Sequence, residues 1–393
     1  MISAGEIKQL SEKYFSKVIA IRRHLHSHPE LSFQEYATSE YVCSILQDLK
    51  IEFKSGIAGT GIIAHIYGKD PESSLKAFRA DLDALPIHEK NEAVYKSCNT
   101  GVMHACGHDV HTACLLGAAM ILQETRHKWK GTIRMIFQPG EEQLPGGASL
   151  MINEGALENP RPEFIIGQHV FPELEAGKVG FRKGMYMAST DELFLTVKGR
   201  GGHAALPSQY TNPLLIAASI LLRLQNEFMH PEIQHPAPTV LAFGKIEGAG
   251  ATNVIPSEVK LEGTFRTMNE SWRKIAHERM SEIATSIATE FGGSVDFEIK
   301  RGYPFLVNDE STTQMMIDSA REYLGADNVV ELDLRMTAED FAWYSQVLPS
   351  CFYRLGTRNE SKGIISPVHT ATFDVDEDAM LTGMGLMAFA ASR

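Results

Sequence analysis

No run of about 18 consecutive apolar residues occurs in the chain, so no membrane-spanning helix and no membrane partner are expected. The opening stretch, MISAGEIKQLSEKYF, has neither a basic nor an apolar region, and a secretory signal is not expected. Basic residues are in deficit: 37 Lys and Arg stand against 49 Asp and Glu, a formal net charge of −12. Sequence-independent nucleic-acid binding needs a basic face, so no nucleic-acid partner is expected. Cysteine is scarce too. The five are Cys43, Cys98, Cys106, Cys114 and Cys351, an odd number at irregular spacing in 393 residues. A disulfide framework is therefore not expected, and a reducing, cytoplasmic setting fits. Internal repeats and low-complexity segments are also missing.

What is present is an ordinary globular composition, 44% hydrophobic and 22% charged. At about 100–200 residues per domain the length implies two or three domains. Ile7, Leu10, Tyr14, Val18, Ile21 and Leu25 recur at helical steps up to His28-Pro29. A second helix spans Tyr36 to Leu49. Strands follow at Gly61 to Tyr67 and Leu75 to Ala80, then a buried helix from Thr112 to Gln123 and a strand, TIRMIF, from Thr132 to Phe137. A further strand is expected from Phe164 to Gly167. This alternation predicts an α/β fold with a mostly parallel central sheet.

A different order begins near residue 190. Glu192 to Lys198 alternates as a strand, Leu214 to Phe228 is helical, and Thr239 to Glu247 and Lys260 to Thr267 are strands. Ser271 to Phe291 is helical and Ser294 to Lys300 alternates again. The order β-α-β-β-α-β is that of a ferredoxin-like α+β unit, whose first and last strands can lie side by side. The expected organisation is a discontinuous domain over residues 1–186 and 301–393, interrupted by an insert over 187–300.

The densest chemistry is MHACGHDVH, residues 103–111. Cys106 and His108 flank Gly107, which permits a sharp turn. A thiolate and an imidazole so placed can serve one metal ion or two neighbouring ones. Asp109 is expected to face solvent or to cap the following helix. QPGEE, 138–142, follows a strand directly, and ligands in parallel sheets bind beyond the carboxyl ends of strands. Its adjacent carboxylates, Glu141 and Glu142, can divide into a metal ligand and a base. In RADLDALP, 79–86, Asp81 and Asp83 face one side of an extended segment and can orient metal-bound imidazoles. Taken singly, each feature has a bland explanation: acidic surface pairs are common, and a lone His is more often a satisfied loop or core residue. His169 and His369 gain meaning only from the constellation. With Cys106, His108 and Glu142 they make a mixed sulfur, nitrogen and oxygen set suited to zinc or another borderline divalent ion. In the insert, His203 follows three glycines in GRGGHAALP, and Asn253 and Arg266 could hold a carboxylate. GRGG is not a dinucleotide fingerprint, because the third glycine and the βαβ context are missing.

HPELSFQE (28–35), RADLDALP (79–86), MHACGHDVHTA (103–113), QPGEE (138–142), GRGGHAALP (199–207), ATNVIP (251–256), AEDFA (338–342) and the late His369 occur in the order found in one family. Across nearly its whole length the chain resembles amidohydrolases of the aminoacylase/carboxypeptidase metallopeptidase family. The nearest branch holds bacterial N-acyl-amino-acid amidohydrolases, hippurate hydrolases and indole-acetyl-amino-acid hydrolases. The resemblance implies a two-metal catalytic domain with an inserted lid or dimerisation domain. It implies two divalent ions (Zn, Mn, Co or Ni) held by Cys106, His108, Glu142, His169 and His369, with Cys106 in a bridging position. It implies Glu141 as general base and Asp81 or Asp83 as the acid that orients the site. His203 is expected to stabilise the oxyanion, and Asn253 and Arg266 to lie near the substrate carboxylate. The substrate would be an N-acyl-amino acid or short peptide, and the assembly a homodimer or higher homo-oligomer. The branch often reads His-Asn-Pro-X-Phe around the last ligand; this chain reads His369-Thr-Ala-Thr-Phe373, which loosens the turn after it. Two other readings are open to the residues: a cysteine amidase with Cys106 as nucleophile, and a metal- or ligand-binding homologue without catalysis.

Overall fold

The computed structural model describes residues 2–393. Contacts divide the chain into two units: Met1–Tyr186 with Val307–Leu334 and Asp340–Arg393, and Met187–Leu306 with Arg335–Glu339. The return of 335–339 to the second unit has no counterpart in the sequence pattern.

The first unit is built on an eight-stranded sheet. Its order is Glu52–Ile57, Gly61–Tyr67, Thr132–Gln138, Leu75–Asp81, Phe164–Glu175, Ser350–Arg358, Val179–Phe181 and Val329–Glu331. The four central strands, Thr132–Gln138 to Ser350–Arg358, run parallel. Leu75–Asp81 and Thr132–Gln138 are buried at every position, which is why they read as continuous apolar runs with polar residues at the carboxyl ends. The helix His108–Glu124 is buried along almost its whole length. It packs against the helices Ala4–Ser27 and Ala379–Ala391. Full burial of Leu115, Leu116, Ile121 and Leu122 contributes roughly 1.5–3 kcal/mol for each side chain. Ala4–Ser27 is capped by Ser3, whose side chain accepts from Glu6 N at 3.2 Å. It turns Ile7, Val18, Ile21 and Leu25 inward, and with them Arg22 and His26.

The second unit holds a four-stranded antiparallel sheet in the order Thr239–Glu247, Glu258–Thr267, Asp191–Lys198 and Ser294–Arg301. Its first and last long strands are therefore neighbours. Asp191–Lys198 buries alternate residues, Leu193, Leu195 and Val197. The helices Pro213–Met229 and Glu270–Glu290 pack on this sheet, and Ile216, Ile220, Leu224, Met280 and Ala284 complete the core. A short antiparallel ribbon pairs Gly202–His203 with Val254–Ile255. Among the described residues no helix is long and apolar enough to cross a membrane.

Candidate metal centre

Chemistry-bearing residues of the first unit gather beyond the carboxyl ends of the parallel strands, where ligands bind in such sheets. Asp81 ends the strand Leu75–Asp81, and Asp83 lies two residues on. Glu141 and Glu142 follow Thr132–Gln138. His169 lies within Phe164–Glu175. Cys106 and His108 bracket the start of the helix His108–Glu124, four residues earlier than apolar periodicity alone places it. Gly107 between them takes φ +80°, and a β-carbon there would lie 2.5 Å from Val170 Cγ2, so glycine is required on both counts. His369 comes from the segment after the last central strand. It adopts φ +62°, a left-handed conformation that a β-carbon disfavours.

These side chains converge on Cys106. Its Sγ lies 3.4 Å from His169 Nε2 and 3.2 Å from His369 Nε2. His369 Nε2 is also 3.2 Å from Glu142 Oε1. His108 Nε2 lies 3.9 Å from Glu142 Oε1, 3.9 Å from Glu141 Oε2 and 3.8 Å from Asp81 Oδ2. Donor atoms close enough for one ion come from Cys106, His108 and His169, and again from Cys106, Glu142 and His369. Cys106 is common to both sets. Glu142 belongs to the second donor set; Glu141 shares a further group of donor atoms with His108 and Glu142, and it also accepts from the backbone N–H of Asp340 at 3.3 Å.

A second layer orients these groups. Asp83 Oδ1 accepts from His108 Nδ1 at 3.1 Å. Its Oδ2 accepts from Ser32 Oγ at 2.6 Å and from Glu142 N at 2.9 Å. That leaves Nε2 of His108 as the donor aimed at the site. Asp81 instead holds His111 Nδ1 at 2.6 Å, and His111 Nε2 accepts from Val170 N at 2.9 Å. The two aspartates therefore serve different histidines. His169 Nδ1 donates to its neighbour's carbonyl, Val170 O, at 2.8 Å, which fixes Nε2 toward Cys106.

The electrostatics ask for a cation. Burial works against charge on His108, but Asp81, Asp83 and Glu142 overcome it and lift its pKa to about 10. Burial raises the Cys106 thiol well above its ordinary range, and Glu142, Glu141 and Asp81 push it further. A nucleophilic cysteine needs the opposite surroundings, a nearby positive charge that favours the thiolate. Among the described residues, two buried atoms that face the cluster, His108 Nε2 and Glu142 Oε1, find no hydrogen-bond partner. An acidic, thiol-containing cluster with such atoms fits divalent ions of borderline softness, which satisfy the donors and favour the thiolate together.

The structure adds residues that the sequence pattern does not single out. His111 stands in the MHACGHDVH run, yet its role as the partner of Asp81 depends on a contact across 30 positions. Arg79 donates to Asp81 Oδ2 at 2.6 Å, Gln138 Oε1 at 2.9 Å and Asp340 Oδ1 at 2.8 Å, all buried. This network braces the ends of the strands Leu75–Asp81 and Thr132–Gln138, just before Asp83, Glu141 and Glu142. Asp109 corrects an expectation: it neither faces solvent nor caps its helix. It is fully buried and accepts from Arg22 Nε and His26 Nδ1, each at 2.8 Å. A residue beside a helix start suggests a cap locally; here a guanidinium 87 positions away claims it.

His203, Asn253 and Arg266 belong to the second unit. His203 is exposed and pairs with Val254 in the ribbon, and Ala204 N donates to Asn253 O at 3.0 Å. The ribbon therefore brings His203 and Asn253 together. Arg266 is on the strand Glu258–Thr267 and donates to Met336 O at 3.1 Å.

The protein is a metal-dependent hydrolase of the amidohydrolase class. The chain belongs to Peptidase family M20/M25/M40, whose profile matches residues 77–393. It is 40% identical over 303 residues to an N-acyl-L-amino acid amidohydrolase of Geobacillus stearothermophilus, covering 77% of this chain and 81% of the relative. It is 35% identical over 377 residues to an N-acetyl-L-cysteine deacetylase of Bacillus subtilis, covering 96% and 88%. The crystal structure of the Bacillus subtilis YXEP protein, described as a dinuclear metal binding peptidase from the M20 family, superposes with a TM-score of 0.83 at 33% identity. That match covers 97% of this chain and 98% of YXEP.

Proposed function

We propose that the protein hydrolyses the amide bond of N-acyl-amino acids, releasing a carboxylic acid and a free amino acid. The observation that carries this reading is the placement of Cys106 within 3.4 Å of His169 Nε2 and 3.2 Å of His369 Nε2, with Glu141 adjoining that set. In this proposal Cys106, His108 and His169 hold one divalent ion, and Cys106, Glu142 and His369 hold the other. Zn, Mn, Co and Ni all suit these donors. When bound, the ions supply Lewis acidity that polarises the scissile carbonyl and acidifies water. Glu141 removes the proton from the attacking water and delivers it to the leaving nitrogen. Asp83 holds His108 in the tautomer that presents Nε2, which makes Asp83 the orienting acid; Asp81 does the same for His111.

For the second unit, proposed as the lid and dimerisation domain, the proposed roles are oxyanion stabilisation by His203 and binding of the substrate carboxylate by Asn253 and Arg266. Two relatives named for N-acyl-L-amino acid and N-acetyl-L-cysteine hydrolysis support this substrate class. A homo-oligomer and a cytoplasmic location complete the proposal; all five cysteines being free supports the latter. The test is release of free amino acid from a panel of N-acyl-amino acids and dipeptides, with chelator and then with each metal restored. Hydrolysis that survives chelation and is blocked by iodoacetamide would replace this reading with a cysteine amidase.

A further inference from the structure

The donors assigned to the second ion come from distant parts of the chain: Cys106 and His369 are 263 positions apart. His369 stands in a left-handed conformation with Thr370-Ala371 after it, where no proline stiffens the turn. Something else must hold this segment. His369 N donates to Ala105 O at 2.7 Å, and Lys90 N donates to Ala371 O at 2.8 Å. Asn91 Nδ2 donates to Phe373 O at 2.8 Å, and Tyr95 OH to Asp374 Oδ2 at 3.0 Å. Arg22 then joins the two ligand segments directly. Its Nη2 donates to Asp374 Oδ1 at 3.1 Å, and its Nε donates to Asp109 Oδ2 at 2.8 Å, the residue next to His108. Its Nη1 lies 3.5 Å from Glu377 Oε1.

Arg22 has no solvent exposure, and its planar fork suits two carboxylates at once, which a lysine ammonium does not reproduce. His26 braces the same point, sharing Asp109 Oδ2 at 2.8 Å and reaching Glu89 Oε1 at 3.2 Å. Glu89 accepts from Ser97 N at 2.7 Å, which closes the 89–97 loop that carries Asn91 and Tyr95.

We propose that Arg22 is a positioning residue: by tying Asp374 to Asp109 it keeps His369 in register with Cys106 and sets the affinity of the ion shared by Cys106, Glu142 and His369. The inference rests on the two-ion reading above. It places the stiffness missing from the His369 turn in a buried guanidinium rather than in a proline.

The test is titration of metal-free, full-length protein with Co(II), followed by calorimetry and by the cobalt absorption bands. Asp374→Ala is the deciding variant, because it removes the partly exposed end of the tie and leaves the buried Arg22–Asp109 pair intact. Arg22→Met, which leaves Asp109 with His26 alone, is the companion, and Lys128→Ala, which breaks a partly exposed pair with Glu6 away from these groups, is the control. Wild type and Lys128→Ala should take up two equivalents. Asp374→Ala should keep the first at wild-type affinity and weaken the second about 10–100-fold, the usual effect of losing an outer-shell partner. Two equivalents at wild-type affinity in folded Asp374→Ala, or equal weakening of both, would overturn the role of Arg22. Fewer than two equivalents in wild type would instead overturn the two-ion reading on which it stands.

Discussion

Replacing Asp83 by Asn keeps size and shape but changes what the side chain can accept. The carboxylate receives three donors: His108 Nδ1 on one oxygen, and Ser32 Oγ with Glu142 N on the other. An amide has one accepting end. If its NH2 faces His108, the imidazole must accept at Nδ1, which places its proton on Nε2 and removes the lone pair aimed at the site. If it faces the other way, NH2 meets the N–H of Glu142, which cannot turn, although the Ser32 hydroxyl can. Either way one charge-assisted hydrogen bond is lost, about 1.5–3 kcal/mol for a charged partner. At about 1.4 kcal/mol per decade this is roughly 10- to 150-fold in metal affinity or kcat/KM. Metal titration and amino-acid release measured on the same preparation, with a thermal melt to establish folding, would read it. Asp83→Asn with both quantities within about twofold of wild type would show that the Asp83 carboxylate does not orient His108. The same exchange at Asp81 acts through His111 and should weaken metal binding less.

Three more outcomes follow from the geometry. Glu141→Gln should abolish turnover while leaving metal content near wild type, measured by elemental analysis beside the hydrolysis assay. Cys106→Ser should weaken both ions rather than one, because its Sγ belongs to both donor sets, and peroxide should strip metal and activity from the wild type together. Metal binding should release protons: in the metal-free protein His108 has a pKa near 10, so at neutral pH an ion must displace its proton. Apparent affinity should then rise about tenfold per pH unit between roughly pH 7 and 10 for each proton displaced. Calorimetry in two buffers of different ionisation enthalpy checks this, and an absence of proton release would contradict it.

The fold class was legible in the sequence, and so were the candidate donors that the structure brings together, because both are written locally. The strands Leu75–Asp81 and Thr132–Gln138 are apolar until they reach the site, so their ends mark it. Cys106-Gly107-His108 and Glu141-Glu142 are contiguous. The edge strand Glu52–Ile57 was not legible, because EFKSGI is largely exposed and carries little apolar alternation. The helix start at His108 was hidden by polar residues that bury themselves at the site. The division of labour between Asp81 and Asp83 could not be read from two acids two positions apart; it depends on which imidazole each meets in space. Arg22 is the extreme case. On its helix it looks like a surface residue misplaced on the buried face, and only Asp109 and Asp374, from distant segments, explain it.

The proposed function requires a metal-dependent amidohydrolase site with Glu141 as its base. The most direct measurement is hydrolysis of N-acyl-amino acids by chelated protein and by the same protein after Mn, Zn, Co or Ni is restored, run beside Glu141→Gln. Activity lost on chelation, recovered with metal, and absent from a Glu141→Gln protein that still binds metal is the predicted result. Turnover that is indifferent to chelator would exclude metal dependence, and turnover that persists in Glu141→Gln would exclude Glu141 as the base.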